Sequence, residues 1–223
     1  MPLTYAVIIP THNEEGALVK CLRSVRQSNP GCQMIVSDAA SQDATLYVAA
    51  REGAVICRGS LGRGTQLNCG AQAANADVLV FLHADTILPE KAFDVLEQHF
   101  CRPEVKIGTF RLRFDYGHWF LRLCGYLTRF DSALTRFGDQ GICVRSDFFQ
   151  QMDGFPEWPL FEDVEFLRRA RRITRIYSFP AEVVTSARKF KKNGPVRQQL
   201  QNGILLIKYL IGVSPEQLAR EYR

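Results

Sequence analysis

Three short apolar runs in the first half of the chain each end in a cluster of oxygen- and nitrogen-bearing side chains. Tyr5–Pro10 leads into Thr11, His12, Asn13, Glu14 and Glu15. Met34–Ser37 leads into Asp38, Ser41, Gln42 and Asp43, and Val78–Leu82 leads into His83, Asp85 and Thr86. Further on, Glu162, Asp163 and Glu165 crowd into four residues, and Arg188 and Lys189 follow. Such residues can do three things: carboxylates hold hard divalent cations, a positioned carboxylate takes a proton from a weak nucleophile, and cations meet phosphate. Each cluster taken alone also has a structural reading. Ser41, Asp43 and Thr45 suit the start of a helix, and a lone His83 suits a hydrogen-bonding role. Asp139 and Gln140, between Gly138 and Gly141, suit either a turn or a ligand contact. Trp158, close before the acidic cluster, can stack on a ligand or fill a core.

The elements that must position these groups alternate in the first hundred residues. Leu18, Cys21, Leu22 and Val25 recur at helical spacing, and helices are expected over 44–52, 65–75 and 90–100, the last with Pro89 near its first turn. Strands are expected at 5–10, 34–37, 54–57 and 78–82. This alternation predicts a largely parallel sheet, in which ligands lie beyond the carboxyl ends of the strands. The second half reads differently. Residues 106–114 alternate as a half-exposed strand. Trp119, Leu123, Leu127, Phe130, Leu134 and Phe137 mark one face of a helix, along which Arg122, Arg129 and Arg136 recur every seven residues. Either a core-facing helix with a charged side or an interfacial membrane helix would show that pattern. A short strand is expected at 142–145, a helix at 162–172, an extended segment at 176–179, and helices at 196–210 and 215–222. The apolar block 203–213 suits core packing, a dimer contact or membrane docking.

With 223 residues, 46% of them hydrophobic and 23% charged, one domain is expected, and disorder is excluded. The opening residues lack a basic-then-apolar leader pattern, and no run approaches the ~20 apolar residues of a membrane span. Seven cysteines with no CxxC argue against a disulfide framework or zinc ribbon and suit a reducing compartment. Charge is unevenly placed: residues 1–167 carry 15 Lys and Arg against 20 Asp and Glu, whereas residues 168–223 carry 13 against 3. A basic tail on an acidic body suggests an anionic partner: phosphates, an acidic membrane surface, or the acidic body itself. No nucleic-acid motif is present.

Taken in order, IIPTHNEE, SDAASQDAT, FLHADT and FEDVEF resemble the signature of family 2 glycosyltransferases of the GT-A fold, over residues 5–190. LGRGTQLNCGAQAANADVLVFLHADT, PLFEDVEFLRR and GVSPEQLAREYR further resemble a short bacterial subgroup of the arsenosugar-biosynthesis type. The resemblance implies an α/β chain with a Rossmann-like, mostly parallel central sheet flanked by helices and a helical C-terminal segment. Residues 1–223 would form a single domain, with a nucleotide-sugar half (1–105), an acceptor half (106–190) and C-terminal helices (191–223).

It also implies roles. Pro10, Thr11, Asn13 and Glu14 would lie along the nucleotide, Asp38 would meet the base, usually uracil, and Arg63 would approach the base or phosphates. Asp85 would hold a divalent metal, Mn²⁺ or Mg²⁺. Asp163 would be the general base with Glu162 beside it, and Arg188 and Lys189 would sit over the diphosphate. Asp139, Gln140 and Trp158 would face the acceptor. The implied reaction is metal-assisted transfer of a sugar from a UDP-sugar, with inversion, to a hydroxyl on a small or lipid-linked acceptor. From the cysteines and the absence of a leader pattern the expected location is the cytoplasm, with peripheral contact at the inner membrane face one option left open by the 119–137 pattern; a homodimer is likewise an open expectation. His83 departs from the family's usual carboxylate, and as a ligand it would favour Mn²⁺. The alternatives are a sugar-phosphate nucleotidyltransferase, which would carry a basic glycine-rich loop after the first strand, and a non-catalytic nucleotide-sugar-binding protein. A dinucleotide oxidoreductase would need GxGxxG where Thr11–Glu14 stands.

Overall fold

The structure, a computed structural model, describes residues 2–132 and 135–221. Its first half is built as the alternation requires: β1 (Tyr5–Thr11), α1 (Glu15–Ser28), β2 (Gln33–Asp38), α2 (Thr45–Arg51), β3 (Val55–Arg58), α3 (Arg63–Gln72) and β4 (Val78–Phe81). β1 is covered on both faces, so its sequence is a continuous apolar run rather than an alternation. Successive residues point to opposite sides. Val7 and Ile9 join the core beneath α1, while Ala6 and Ile8 join a second core with Leu67 of α3. β3, β2, β1 and β4 are adjacent in that order, and all three pairings are parallel. Their carboxyl ends therefore align at one edge, with Thr11 opposite Asp38.

The remaining elements are β5 (Thr86–Ile87), α4 (Ala92–Phe100), β6 (Ile107–Phe114), α5 (Trp119–Leu127), a 3-10 turn (Gly138–Gln140), β7 (Ile142–Arg145), α6 (Ser146–Gln151), α7 (Glu162–Arg171), β8 (Ile176–Thr185), α8 (Arg188–Asn193), α9 (Pro195–Leu210) and α10 (Pro215–Glu221). The sheet continues from β4 through β7, β6 and β8 to β5. Two reversals there set the site. β7 runs antiparallel to β4 with Ile142 opposite Phe81, so the turn just before β7 meets the segment just after β4. β5 runs antiparallel to β8 with Thr86 opposite Thr185, so the residues following β8 arrive beside Asp85. The sheet is thus mixed, with a parallel first block and reversals confined to the second.

One expected element is shorter than its pattern. The apolar spacing from Trp119 to Phe137 predicts one helix, but α5 ends at Leu127. Thr128 stops it: its hydroxyl donates to the Gly125 carbonyl at 2.6 Å and accepts from the Leu112 amide at 3.0 Å. Leu134 lies outside the described residues. The three arginines therefore do not share a face. Arg122 is exposed on α5, Arg129 pairs with Glu182 at 3.5 Å, and Arg136 is 1% exposed and pairs with Asp131 at 3.1 Å. β8 runs on to Thr185, past the expected Phe179, because it pairs with β6 along its length. β5, α6 and α8 are too short for periodicity to mark.

Candidate active site

The aligned strand ends form the floor of a cleft of about 640 Å³. The loop after β1 is tied to the loop after β2. Thr11 and Ser41 both donate to Asp38 Oδ1, at 2.8 and 2.5 Å, and the Ser41 amide donates to Oδ2 at 2.9 Å. Asp38 is 1% exposed and is not part of the cleft wall. Asn13 is also off the wall. It sits at φ 55° and stitches the same two loops, donating its amide to Ser41 and accepting from the Gln42 amide, both at 2.8 Å. Asp43 accepts from the Thr45 amide at 2.9 Å and the Glu15 amide at 3.1 Å, so it serves two helix starts, the structural reading of that cluster. Pro10, Thr11 and Glu14 line the cleft.

Arg63 is the first residue of α3 rather than part of a preceding loop. The helix begins that early because Gly64 lets its backbone touch the segment before α7: a methyl on Gly64 would stand 2.1 Å from the Pro156 carbonyl oxygen. Arg63 thereby reaches Glu162, Nη1 to Oε1, at 3.5 Å. Across the cleft floor Arg188 joins both acids of the first half, at 2.7 Å from Glu14 and 3.3 Å from Asp85. Lys189 lines the same wall.

The acidic groups are not equivalent. Asp163 faces the cleft, and backbone amides hold both its oxygens: Gly138 N–H donates to Oδ2 at 2.5 Å and Val164 N–H to Oδ1 at 2.8 Å. Glu162 is 1% exposed; burial, with Asp163 beside it, pushes its carboxyl up to about 7 against the pull of Arg63. Asp139 is likewise pushed up to about 7 by burial and by Asp163 and Asp85. Glu165 is engaged elsewhere, accepting from Arg168 at 2.7 and 2.9 Å and from the Tyr209 hydroxyl. Gln140 is fully buried; its carbonyl accepts from Thr109 at 3.2 Å and its amide donates to the Thr135 carbonyl at 2.5 Å. It reaches the cleft wall, but its side chain ties β6 to the loop before β7. Trp158 is not on the wall. It packs edge-on to Tyr209 with ring centres 6.2 Å apart, and Leu160 and Phe161 face the cleft in its place.

The residues present fit a divalent cation. Burial raises the Asp85 carboxyl, Arg188 opposes that, and Glu14 adds to it, the balance of a site short of positive charge. The Asp139 Oδ1 is buried with no hydrogen-bond partner among the described residues. His83 is pushed down to about 3 by burial and by Arg63 and Lys189, so its imidazole is neutral and has a lone pair to offer. Among the described residues no three His, Cys, Asp or Glu side chains converge as a complete metal cage. The protein would therefore supply part of a coordination shell that phosphate oxygens and water complete.

Two contributors leave no mark in the sequence. Phe161, at φ 64°, enters α7 through a left-handed conformation that is rare for a bulky residue, and it packs on Tyr209 at 5.2 Å. Gly138 supplies the amide that holds Asp163. A third was readable: Gln198 and Asn202 stand four apart, on one face of a helix, and both line the cleft.

A strand-end floor with a cation-fitting carboxylate, facing an acidic pair and a basic C-terminal wall, defines a GT-A-type glycosyltransferase architecture. The family model described as Glycosyl transferase family 2 matches residues 6–174, and the chain belongs to that family. It is 33% identical over 110 residues to 4,4'-diaponeurosporenoate glycosyltransferase of Staphylococcus haemolyticus, a match spanning 45% of this chain and 29% of that relative. In fold it is similar to the mannosyltransferase PcManGT of Pyrobaculum calidifontis in complex with GDP-Man and Mn²⁺. There the TM-score is 0.71 at 16% identity over 96% of this chain and 66% of that one. It is also similar to glucosyl-3-phosphoglycerate synthase of Mycobacterium tuberculosis in complex with Mn²⁺, UDP and glucosyl-3-phosphoglycerate. That TM-score is 0.66 at 18% identity, over 95% and 81% of the two chains. At these identities the structural likeness establishes the fold. Among the described residues no helix is long and apolar enough to cross a membrane.

Proposed function

We propose that this chain transfers a sugar from a nucleoside-diphosphate sugar to an acceptor hydroxyl, with inversion at the anomeric carbon. One observation carries the reading: Asp85, in the loop between β4 and β5, and Asp163, at the start of α7, line one cleft together with Arg63, Arg188 and Lys189. The donor diphosphate would lie over Asp85 and be drawn by these three cations. A divalent cation bound there would neutralise charge on the departing diphosphate. A uridine donor follows from the resemblance at Asp38, which orients the loops after β1 and β2 rather than lining the cleft. One solved neighbour holds UDP and another GDP-Man, so both nucleotides are compared in the test.

Asp163 is the general base of this proposal. Its two backbone hydrogen bonds fix the direction of the carboxylate, and a fixed direction is what proton removal from a hydroxyl requires. Glu162 and Asp139, with carboxyls pushed up to about 7, would hold protons more readily and orient the acceptor. Much of the remaining wall, including Leu112, Phe114, Leu127, Phe190, Leu206 and Ile207, is apolar, which favours an acceptor with an apolar portion. A panel of UDP, GDP, NAD and their sugar nucleotides, with and without Mn²⁺, tests the reading by thermal shift. A Mn²⁺-dependent rise in melting temperature with UDP or GDP, and none with NAD, is expected; no shift with any sugar nucleotide overturns it.

A further inference from the structure

A helix packed on a globular body normally turns its apolar face inward. α9 places Gln198 inward beside Leu205 and Leu206, with Gln198 hydrogen-bonded to Asn193 at 2.6 Å and Asn202 at 2.9 Å. Its outer face carries Val196, Leu200, Ile204 and Ile207, continued by Ile211, all between 44% and 76% exposed. α5 is similar. Only Leu121 and Gly125 are buried, whereas Trp119, Leu123, Tyr126 and Leu127 face outward with Trp119 at 67%. The two helices pack against each other, and both wall the cleft. Both helices thus expose apolar side chains beside the cleft, and exposed apolar surface of this kind marks an interaction site.

The charges around it decide the partner. From Val183 to Pro215 the chain carries six Lys and Arg and no Asp or Glu, and from Tyr116 to Phe130 it carries Arg122 and Arg129 and no acid; one acid, Glu221 of α10, stands beside Val196, Leu200 and Ile204 and pairs with Lys208 at 2.5 Å. α8 packs on α9 and places Lys191 5.4 Å over the Tyr116 ring, at the entry to α5. Arg129 stacks on Tyr126 at 4.8 Å; it also pairs with Glu182 at 3.5 Å and Lys191 with Asp115 at 3.4 Å, which leaves Arg122, Lys192 and Arg197 as the cations of this face with no carboxylate within ion-pair distance among the described residues. An apolar stripe with interfacial aromatics, flanked by cations, matches a surface that is apolar within and negative at its rim. A second copy of this face would set like charge against like charge. We propose that α5, α8 and α9 form a docking face for an anionic lipid bilayer, α5 and α9 lying in the interface and the cleft opening toward it.

Co-sedimentation with vesicles tests this without reference to catalysis. Vesicles of phosphatidylcholine containing about a third phosphatidylglycerol should pellet the protein at about 0.1 M NaCl, and far less at about 0.5 M, where charge is screened. Pure phosphatidylcholine should bind it weakly. Leu200→Glu with Ile204→Glu, or Trp119→Glu with Leu123→Glu, should weaken binding at least tenfold; all four positions are solvent-facing, and an unchanged thermal melt would verify the fold. Lys191→Ala with Lys192→Ala should cost about tenfold on the anionic vesicles and little on the neutral ones. Failure to pellet with either vesicle, or pelleting that none of these changes alters, would overturn the proposal. So would a dimer in sedimentation velocity that the glutamate variants dissolve while wild-type protein ignores vesicles, which would assign the face to a second copy.

Discussion

The two sides of the cleft are held in opposite ways. On the side built from β1, β2 and β4, the groups that shape the loops are hydrogen-bonded: Asp38 accepts three hydrogen bonds and Asn13 stitches two loops, while the buried Ser37 hydroxyl of β2 has no partner among the described residues. On the side built from the turn before β7 and the start of α7, polar groups are left under tension. Asp139 has an unpartnered oxygen, Glu162 is buried beside Asp163, and Phe161 is held at positive φ. The first arrangement yields a rigid template for a ligand of fixed shape. The second concentrates negative charge where a cation or a proton has to arrive, and that costs stability until one does.

The largest effect that would separate the two sides is on transfer. Asp163→Asn should retain nucleotide-sugar affinity and lose turnover by ~10²-fold or more, read as donor hydrolysis if no acceptor is in hand. Full hydrolysis in that variant, with none in Glu162→Gln, would move the base to Glu162. The contact joining the sides comes next. Gly64→Ala places a methyl against the Pro156 carbonyl and should cost about 2 kcal/mol in urea unfolding, whereas Gly16→Ala in α1, with open space around it, should be neutral or stabilise by about 0.5 kcal/mol. Equal effects at the two glycines would show that the inter-side contact is soft.

Asp85→Asn should weaken Mn²⁺-dependent UDP binding at least tenfold while the fold stays intact; undiminished Mn²⁺ dependence would falsify the metal assignment. The tension should also appear in the ligand-free protein as a pH effect. Glu162 and Asp139 titrate near 7 when folded and near 4 when unfolded. The stability they contribute is therefore full below about pH 4 and lost as pH rises through 7. Between pH 5 and 8 the two groups would together lose ~5 kcal/mol, a fall in melting temperature on the order of 10 °C, and Asp139→Asn should roughly halve it. A melting temperature equally steep in the variant would place the titration elsewhere. The smallest effect is expected from His83→Asp, a shift of metal preference from Mn²⁺ toward Mg²⁺; an unchanged ranking would leave His83 as packing against Gly138.

Period and position alone announced the first half. Leu18, Cys21, Leu22 and Val25 are buried as their spacing requires, and the polar groups after β1 and β4 reach a common floor because parallel strands align their carboxyl ends. The acidic pair at the head of α7 was equally legible. What the sequence could not fix was where long-range pairing would override local pattern. The apolar spacing through Phe137 describes a helix, yet Thr128 closes it, and Arg136 is drawn inward by Asp131 and by the Thr109 hydroxyl. Trp158 stands near the acidic pair in sequence but belongs to Tyr209 in space. Asp139 and Asp85 share a cleft only because β7 runs antiparallel to β4, and Arg188 reaches Glu14 and Asp85 only because β5 pairs with β8. Periodicity reports which face of an element is buried. It carries no information about which elements meet, and in this protein the charge balance of the cleft depends on those meetings.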